Sequence, residues 1–192
     1  MGRPRVAVLG ALVLGAGCLA VAGCGTSAPT ATGPATATGP ATVTTPATIR
    51  VSSPVFATGG PIPVRYTCQG ADISPPLRWT PVPSTTKELA LLMIDLNAPG
   101  GTFTHWVLAG IPPAARGMAA GRVPRGAVAG RNGFGKIGYG GPCPPAGKPH
   151  NYVIDLTALP KRLKLSPGFA SGVLAGERPV AAGVLRGTYS RG

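Results

Sequence analysis

Acidic residues are scarce in this 192-residue chain: five Asp+Glu stand against 18 Lys+Arg, for a formal net charge of +13. Histidine is scarcer still, with two, and Phe, Trp and Tyr together make up 5% of the residues. Every group available for carboxylate or imidazole chemistry can therefore be named: Asp72, Glu88, Asp95, Asp155 and Glu177, with His105 and His150. No charged residue occurs from position 6 to position 48. Gly (30) and Pro (23) are plentiful and spread throughout, which excludes a long coiled coil. A Gly/Pro share this high points to disorder, whereas a hydrophobic content of 44% is that of a globular domain. Both hold if composition changes along the chain, and the length allows one ordinary domain with a tail.

The change is visible at once. Residues 1–23 carry Arg3 and Arg5, then an uncharged apolar run from Val6 to Ala22, and small residues before Cys24. This is the pattern of an export signal. The run is too short and too rich in Gly and Ala for a membrane span. Val21-Ala22-Gly23-Cys24 resembles a bacterial lipobox, which implies cleavage before Cys24, lipidation of its thiol and an extracytoplasmic, membrane-anchored chain. Residues 24–48 contain Thr-Ala-Thr-Gly-Pro-Ala twice in succession, at 30–35 and 36–41, and no aromatic residue. Such a segment buries too little apolar surface to offset its ordering entropy, so a disordered, semi-rigid tether is expected.

Residues 49–192 remain as one domain. Ile49–Val55 and Val64–Cys68 alternate in polarity, and 89–94, 105–111, 152–159 and 180–189 are apolar or alternating runs, so strands are expected in each. Pro and Gly cluster between them. One short helix is expected over 167–176, after a cap at Ser166. The implied fold is mainly β, an antiparallel sandwich with small peripheral helices. The long loop 112–149 is where function is sought.

Two phosphate-loop patterns in that loop fail on context. Gly133 to Gly138 fits G-x-G-x-x-G, but Tyr139-Gly140-Gly141-Pro142-Cys143-Pro144-Pro145 follows and opens no helix. Gly130 to Lys136 lacks the Ser or Thr after Lys that would meet Mg²⁺. No Gly-x-Ser-x-Gly elbow is present, and Ser74 lies in the turn-forming Asp72-Ile73-Ser74-Pro75-Pro76. Asp95, His105 and His150 each stand at the end of an apolar run, where one rim of a sandwich gathers side chains. A carboxylate beside two imidazoles is expected to raise their pKa values, and with the Tyr152 hydroxyl to form an anion pocket. Each His could equally be a satisfied structural residue. Cys68 and Cys143 are the cysteines left in the domain. In an exported chain they suggest a disulfide; a zinc site lacks the usual spacing, and oxidation would block a nucleophilic thiol. The basic residues are scattered, and export removes nucleic acid as a partner, so none is expected; attraction to anionic lipid head groups fits the charge better.

The residues also resemble a known family. Tyr66-Thr67-Cys68-Gln69-Gly70-Ala71-Asp72-Ile73-Ser74-Pro75-Pro76-Leu77-Arg78-Trp79 is similar to the opening motif of bacterial phosphatidylethanolamine-binding proteins, also called Raf-kinase-inhibitor-like proteins. Asp95-Leu96-Asn97-Ala98-Pro99 resembles their Asp-Pro-Asp-Ala-Pro, and Thr104–Pro112 their His-Trp-Val strand. Gly133–Pro145 followed by Pro149-His150-Asn151-Tyr152 resembles the ligand loop and the His-Arg-Tyr motif. The resemblance covers 49–191. It implies a sandwich with an anion pocket at one end, formed by Asp95, His105, His150 and Tyr152, with Asp72, Pro142, Cys143 and Pro144 shaping the wall. The implied partner is a small anion or phospholipid head group, or alternatively a protein such as a protease or kinase-like enzyme that the chain inhibits. Hydrolysis by the His pair ranks third. No catalytic residue, metal or cofactor is expected. Leu96 and Asn97 stand where the family has Pro and a second acid, and Asn151 where it has Arg.

Overall fold

A computed structural model describes residues 45–192. The export signal, Cys24 and residues 25–44 of the tether lie outside the described residues. Nine strands run in the order β1 (Ala47–Thr48), β2 (Val51–Ser52), β3 (Leu77–Trp79), β4 (Glu88–Asp95), β5 (Phe103–Ile111), β6 (Gly117–Met118), β7 (Val128–Ala129), β8 (His150–Leu159) and β9 (Ala181–Tyr189). They form a six-stranded sheet, β1-β9-β8-β4-β5-β7, and a three-stranded sheet, β2-β3-β6. The neighbours pair antiparallel except β1, which runs parallel to β9, so the larger sheet is mixed.

The four long strands are the apolar runs of the sequence. Burial alternates along β8 and β9 with the two-residue period of a pleat. β4, between β5 and β8, is buried almost throughout, with only Leu92 and Ile94 of its outer face half-buried. Leu89, Leu91 and Met93 of β4 join Ile154 and Leu156 of β8 and Leu185 of β9 in one core with Val51, Leu77, Trp79 and Met118 of the smaller sheet. Full burial of one such side chain contributes about 1.5–3 kcal/mol, which is why the core dictates the register.

Several expectations need correcting. Val64–Cys68 is not a strand: Val64–Tyr66 is a 3₁₀ turn entered from Pro63, and Thr67 Oγ1 donates to the Val64 carbonyl at 2.9 Å. Pro63 holds φ at −60°, and the chain folds back so tightly that a Cβ on Gly70 would overlap the Val64 carbonyl. Ile49–Val55 supplies only the two-residue strand β2. Ala47 and Thr48, assigned to the tether, pair with Ala181 and Ala182. The helix expected over 167–176 is reduced to a 3₁₀ turn at Ser171–Leu174, with Ala170 rather than Ser166 at its N-terminus. Gly168 and Gly172 leave too few side chains for a helical stripe, and Gly168 has φ +85°. Among the described residues no helix is long and apolar enough to cross a membrane.

Candidate functional site

Register brings the scarce residues together. Asp95, the last residue of β4, pairs with Phe103 of β5 and Tyr152 of β8. His105 and His150 each lie two positions from one of these partners and share its side of the sheet. At this end the strands border a cavity of about 260 Å³ lined by Asp95, Phe103, His105, Phe134, Pro144 and His150, among others.

Asp95 is 3% exposed and organises the rim. His150 Nδ1 donates to its Oδ2 at 2.7 Å, and its Oδ1 accepts the Asn97 N–H at 2.8 Å. That pair leaves His150 Nε2 for the cavity. His105, also 3% exposed, donates from Nδ1 to the Gly140 carbonyl at 2.7 Å, and the Gly140 N–H returns a bond to the His105 carbonyl. Its neutral ring therefore carries a bare Nε2. Phe103, Phe134 and Tyr152 meet that ring edge-on at 5.0, 5.5 and 5.2 Å between centroids. Burial pushes the His105 imidazole below its ordinary value of 6.5, outweighing the upward pull of the Gly140 carbonyl and of Asp95. For His105 the expected rise does not occur, because the aromatic walls exclude the water that would solvate a charged ring. Tyr152 is raised by burial and then by Asp95, and its hydroxyl has no partner in hydrogen-bonding geometry among the described residues.

Loop 133–145 forms the remaining wall and is tied down at several points. Tyr139 Oη donates to the Tyr66 carbonyl at 2.6 Å, and the Cys68 N–H bonds to the Pro142 carbonyl. Cys68 and Cys143 form a disulfide with Cα atoms 5.4 Å apart, so neither thiol remains for zinc or nucleophilic attack. Asp72 accepts the Gly141 N–H at 2.6 Å while holding φ at +51°, the left-handed conformation that Asp tolerates better than most residues. Only glycine fits at 141, where a Cβ would stand 2.6 Å from the Tyr66 carbonyl oxygen and 2.7 Å from Asp72 Oδ1.

Of the residues singled out in the sequence, Asp95, His105, His150, Cys143 and Pro144 line the cavity. Tyr152 stands behind His105, Asp72 holds the loop through the Gly141 N–H, and Pro142, within the loop, accepts the Cys68 N–H. The aromatic walls, Phe103 and Phe134, went unnoticed. Phe103 lies two residues before His105 on one strand face, which is a signal that could have found it.

The model of the phosphatidylethanolamine-binding protein family matches residues 52–189, which spans the whole site. The chain belongs to this family. A curated relative with a lipoprotein name, LppC of Mycobacterium tuberculosis (strain H37Rv), is 45% identical over 128 residues. The match covers 66% of this chain and 63% of LppC, less than two thirds of that relative's length. A UPF0098 protein of Methanothermobacter thermautotrophicus is 49% identical over 118 residues, covering 59% of this chain and 78% of that one. Among solved structures, the phosphatidylethanolamine-binding protein homologue CT736 of Chlamydia trachomatis superposes with a TM-score of 0.70 at 34% identity, covering 76% of this chain and 99% of CT736. Escherichia coli YbcL, described as a member of the mammalian family, gives 0.70 at 30% identity, covering 75% and 99%. Asn97 and Asn151, two departures from the motifs that this sequence resembles, touch each other: Asn97 Oδ1 accepts both the backbone N–H and the side-chain N–H of Asn151, at 2.8 and 2.9 Å. A neutral pair thus stands at the two positions where the family motif has an acid and an Arg.

Proposed function

We propose that this protein is a lipid-anchored, extracytoplasmic binding protein whose sandwich-end cavity takes a small anion or phosphorylated head group. The observation that carries the reading is the Asp95–His150 pair at the mouth of a cavity backed by His105. Asp95 orients the His150 ring so that Nε2 faces a ligand, and a protonated ring donates from it. His105 spends Nδ1–H on Gly140, so it donates to an anion only after taking up a proton at Nε2. Ligand entry therefore brings a proton with it, and Asp95 close by compensates the new charge. The assignment is one of binding, with no bond made or broken. The membrane anchor rests on the lipobox-like ending at Cys24 and on the lipoprotein name of LppC. Inhibition of a protein partner is the second reading, favoured by Phe134 and Ile137, which are 45% and 51% exposed on the 133–138 loop.

Titration with inorganic phosphate and with phosphoethanolamine, followed through the imidazole signals in NMR spectra, tests the pocket. Saturable shifts at His105 and His150, lost in His105→Ala and His150→Ala, are expected. Unmoved signals at saturating ligand overturn the reading.

A further inference from the structure

The two faces of the larger sheet carry different cavities. Asp95 and Tyr152 look into the sandwich end, whereas Leu92 and Ile94 of β4 and Asp155 of β8 look outward. There a second cavity, of about 370 Å³, shares no lining residue with the first among the described residues. Leu92 and Ile94 form its floor, and the 3₁₀ turn at Ser171–Leu174 covers it with Leu174. Thr104 and Ser171 hydroxyls lie 3.3 Å apart and hold that turn against the sheet.

Among the described residues, Asp155 is the only ionisable group lining this cavity. Its Oδ1 is buried without a hydrogen-bond partner, and its Oδ2, which also accepts no bond among the described residues, is the oxygen left accessible to a ligand. Register sets Asp155 opposite Leu92 on one side and Val184 on the other, so its neighbours across the sheet offer hydrocarbon. Arg186, exposed one pleat further along β9, forms no ion pair with it. Thr157 donates its hydroxyl to the Ala90 carbonyl at 3.4 Å, which leaves its oxygen lone pairs as acceptors. The cavity thus offers acceptors above an apolar floor, one of them a carboxylate whose charge burial disfavours and a bound cation would favour. A divalent cation wants six or more oxygens, several of them anionic, and this set is too thin. A guanidinium wants a planar fork. An ammonium has three N–H groups that splay to separate acceptors, with a hydrocarbon stem behind.

We propose that this outer cavity binds a small primary alkylammonium, with its –NH₃⁺ on Asp155 and the surrounding hydroxyls and its hydrocarbon on Leu92, Ile94 and Leu174. The site does not depend on the anion pocket.

The test is titration of the whole chain with n-butylammonium and, separately, with the neutral n-butanol, read by backbone-amide NMR. Expected are saturable shifts at Leu92, Thr157 and Ser171 with the ammonium, weak and unsaturated shifts with the alcohol, and unmoved His105 and His150. Asp155→Asn, close in shape, should weaken binding roughly tenfold or more, as befits loss of a charge-assisted bond. Gly172→Trp, placed where the mouth has open space, should block entry without touching the carboxylate. Equal response to the alcohol, undiminished binding in Asp155→Asn and Gly172→Trp, or shifts centred on the histidines would each overturn the proposal.

Discussion

His105 sits among Phe103, Phe134 and Tyr152 with its Nδ1–H committed to Gly140, and its position makes acid a stress on the folded state. Burial lowers its pKa below 6.5, while Asp95, Asp72 and the Gly140 carbonyl pull the other way and lose. In the unfolded chain the ring titrates near 6.5. Below that pH the unfolded state takes up a proton that the folded state refuses. The contribution of His105 is therefore fully present above pH 6.5 and is lost as pH falls through the folded value, with a slope of at most about 1.4 kcal/mol per pH unit. His105→Gln keeps an N–H for Gly140 and removes the titration. Thermal melts from pH 7.5 to 4.5 should show a shallower acid limb in this variant than in the wild type. Parallel limbs in the two proteins would mean that the ring is no more desolvated than in the unfolded chain. At the same scale, Asn97 and Asn151, two residues far apart in sequence, are joined by two hydrogen bonds to one amide oxygen, a contact that neither position announces alone.

Two kinds of element make the site. β4, β5 and β8 are fastened by their own register, whereas the 64–72 segment and loop 133–145 are fastened to each other. The ties are the Cys68–Cys143 disulfide and the bonds from Tyr139 to Tyr66, Gly141 to Asp72 and Cys68 to Pro142. The disulfide closes a separation of 75 residues, which on chain entropy is worth up to about 4 kcal/mol. Cys68→Ala/Cys143→Ala should lower the melting temperature. Amide exchange should accelerate in 139–145 and stay slow in β4 and β8. Unchanged exchange in the loop would show that its hydrogen bonds suffice alone. This division also explains what could be read from sequence. The long strands were legible because burial on one or both faces imposes a local pattern. Val64–Cys68 misled because Val64, Tyr66 and Cys68 alternate like a strand, while the flanking prolines and a cysteine 75 residues away decide the turn. Asp95, His105 and His150 were legible as rare residues at strand ends. Phe134 was not, because a loop aromatic looks like any other until the loop folds over the pocket, whereas Phe103 carried a signal in its place two residues before His105.

For the whole molecule the question is what holds it at a surface. Two forces would serve the proposed attachment: the net charge, +13 in full and +11 if cleavage before Cys24 removes Arg3 and Arg5, and the lipid proposed on Cys24. They respond differently to salt. Attraction of scattered Lys and Arg to anionic head groups is screened when the Debye length falls to about 3 Å at about 1 M salt. Burial of acyl chains is not screened, although a single chain anchors only marginally and stable anchoring needs a second chain or a second signal. If Cys24 carries a multiply acylated anchor, the protein stays with membranes through a high-salt wash and leaves only in detergent. Cys24→Ser should then appear in the soluble fraction of the wash while its domain keeps the melting temperature of the wild type, because the anchor lies more than twenty residues before β1. Retention of Cys24→Ser on salt-washed membranes would sink the anchor. Release of the wild type by salt alone would assign the attachment to charge.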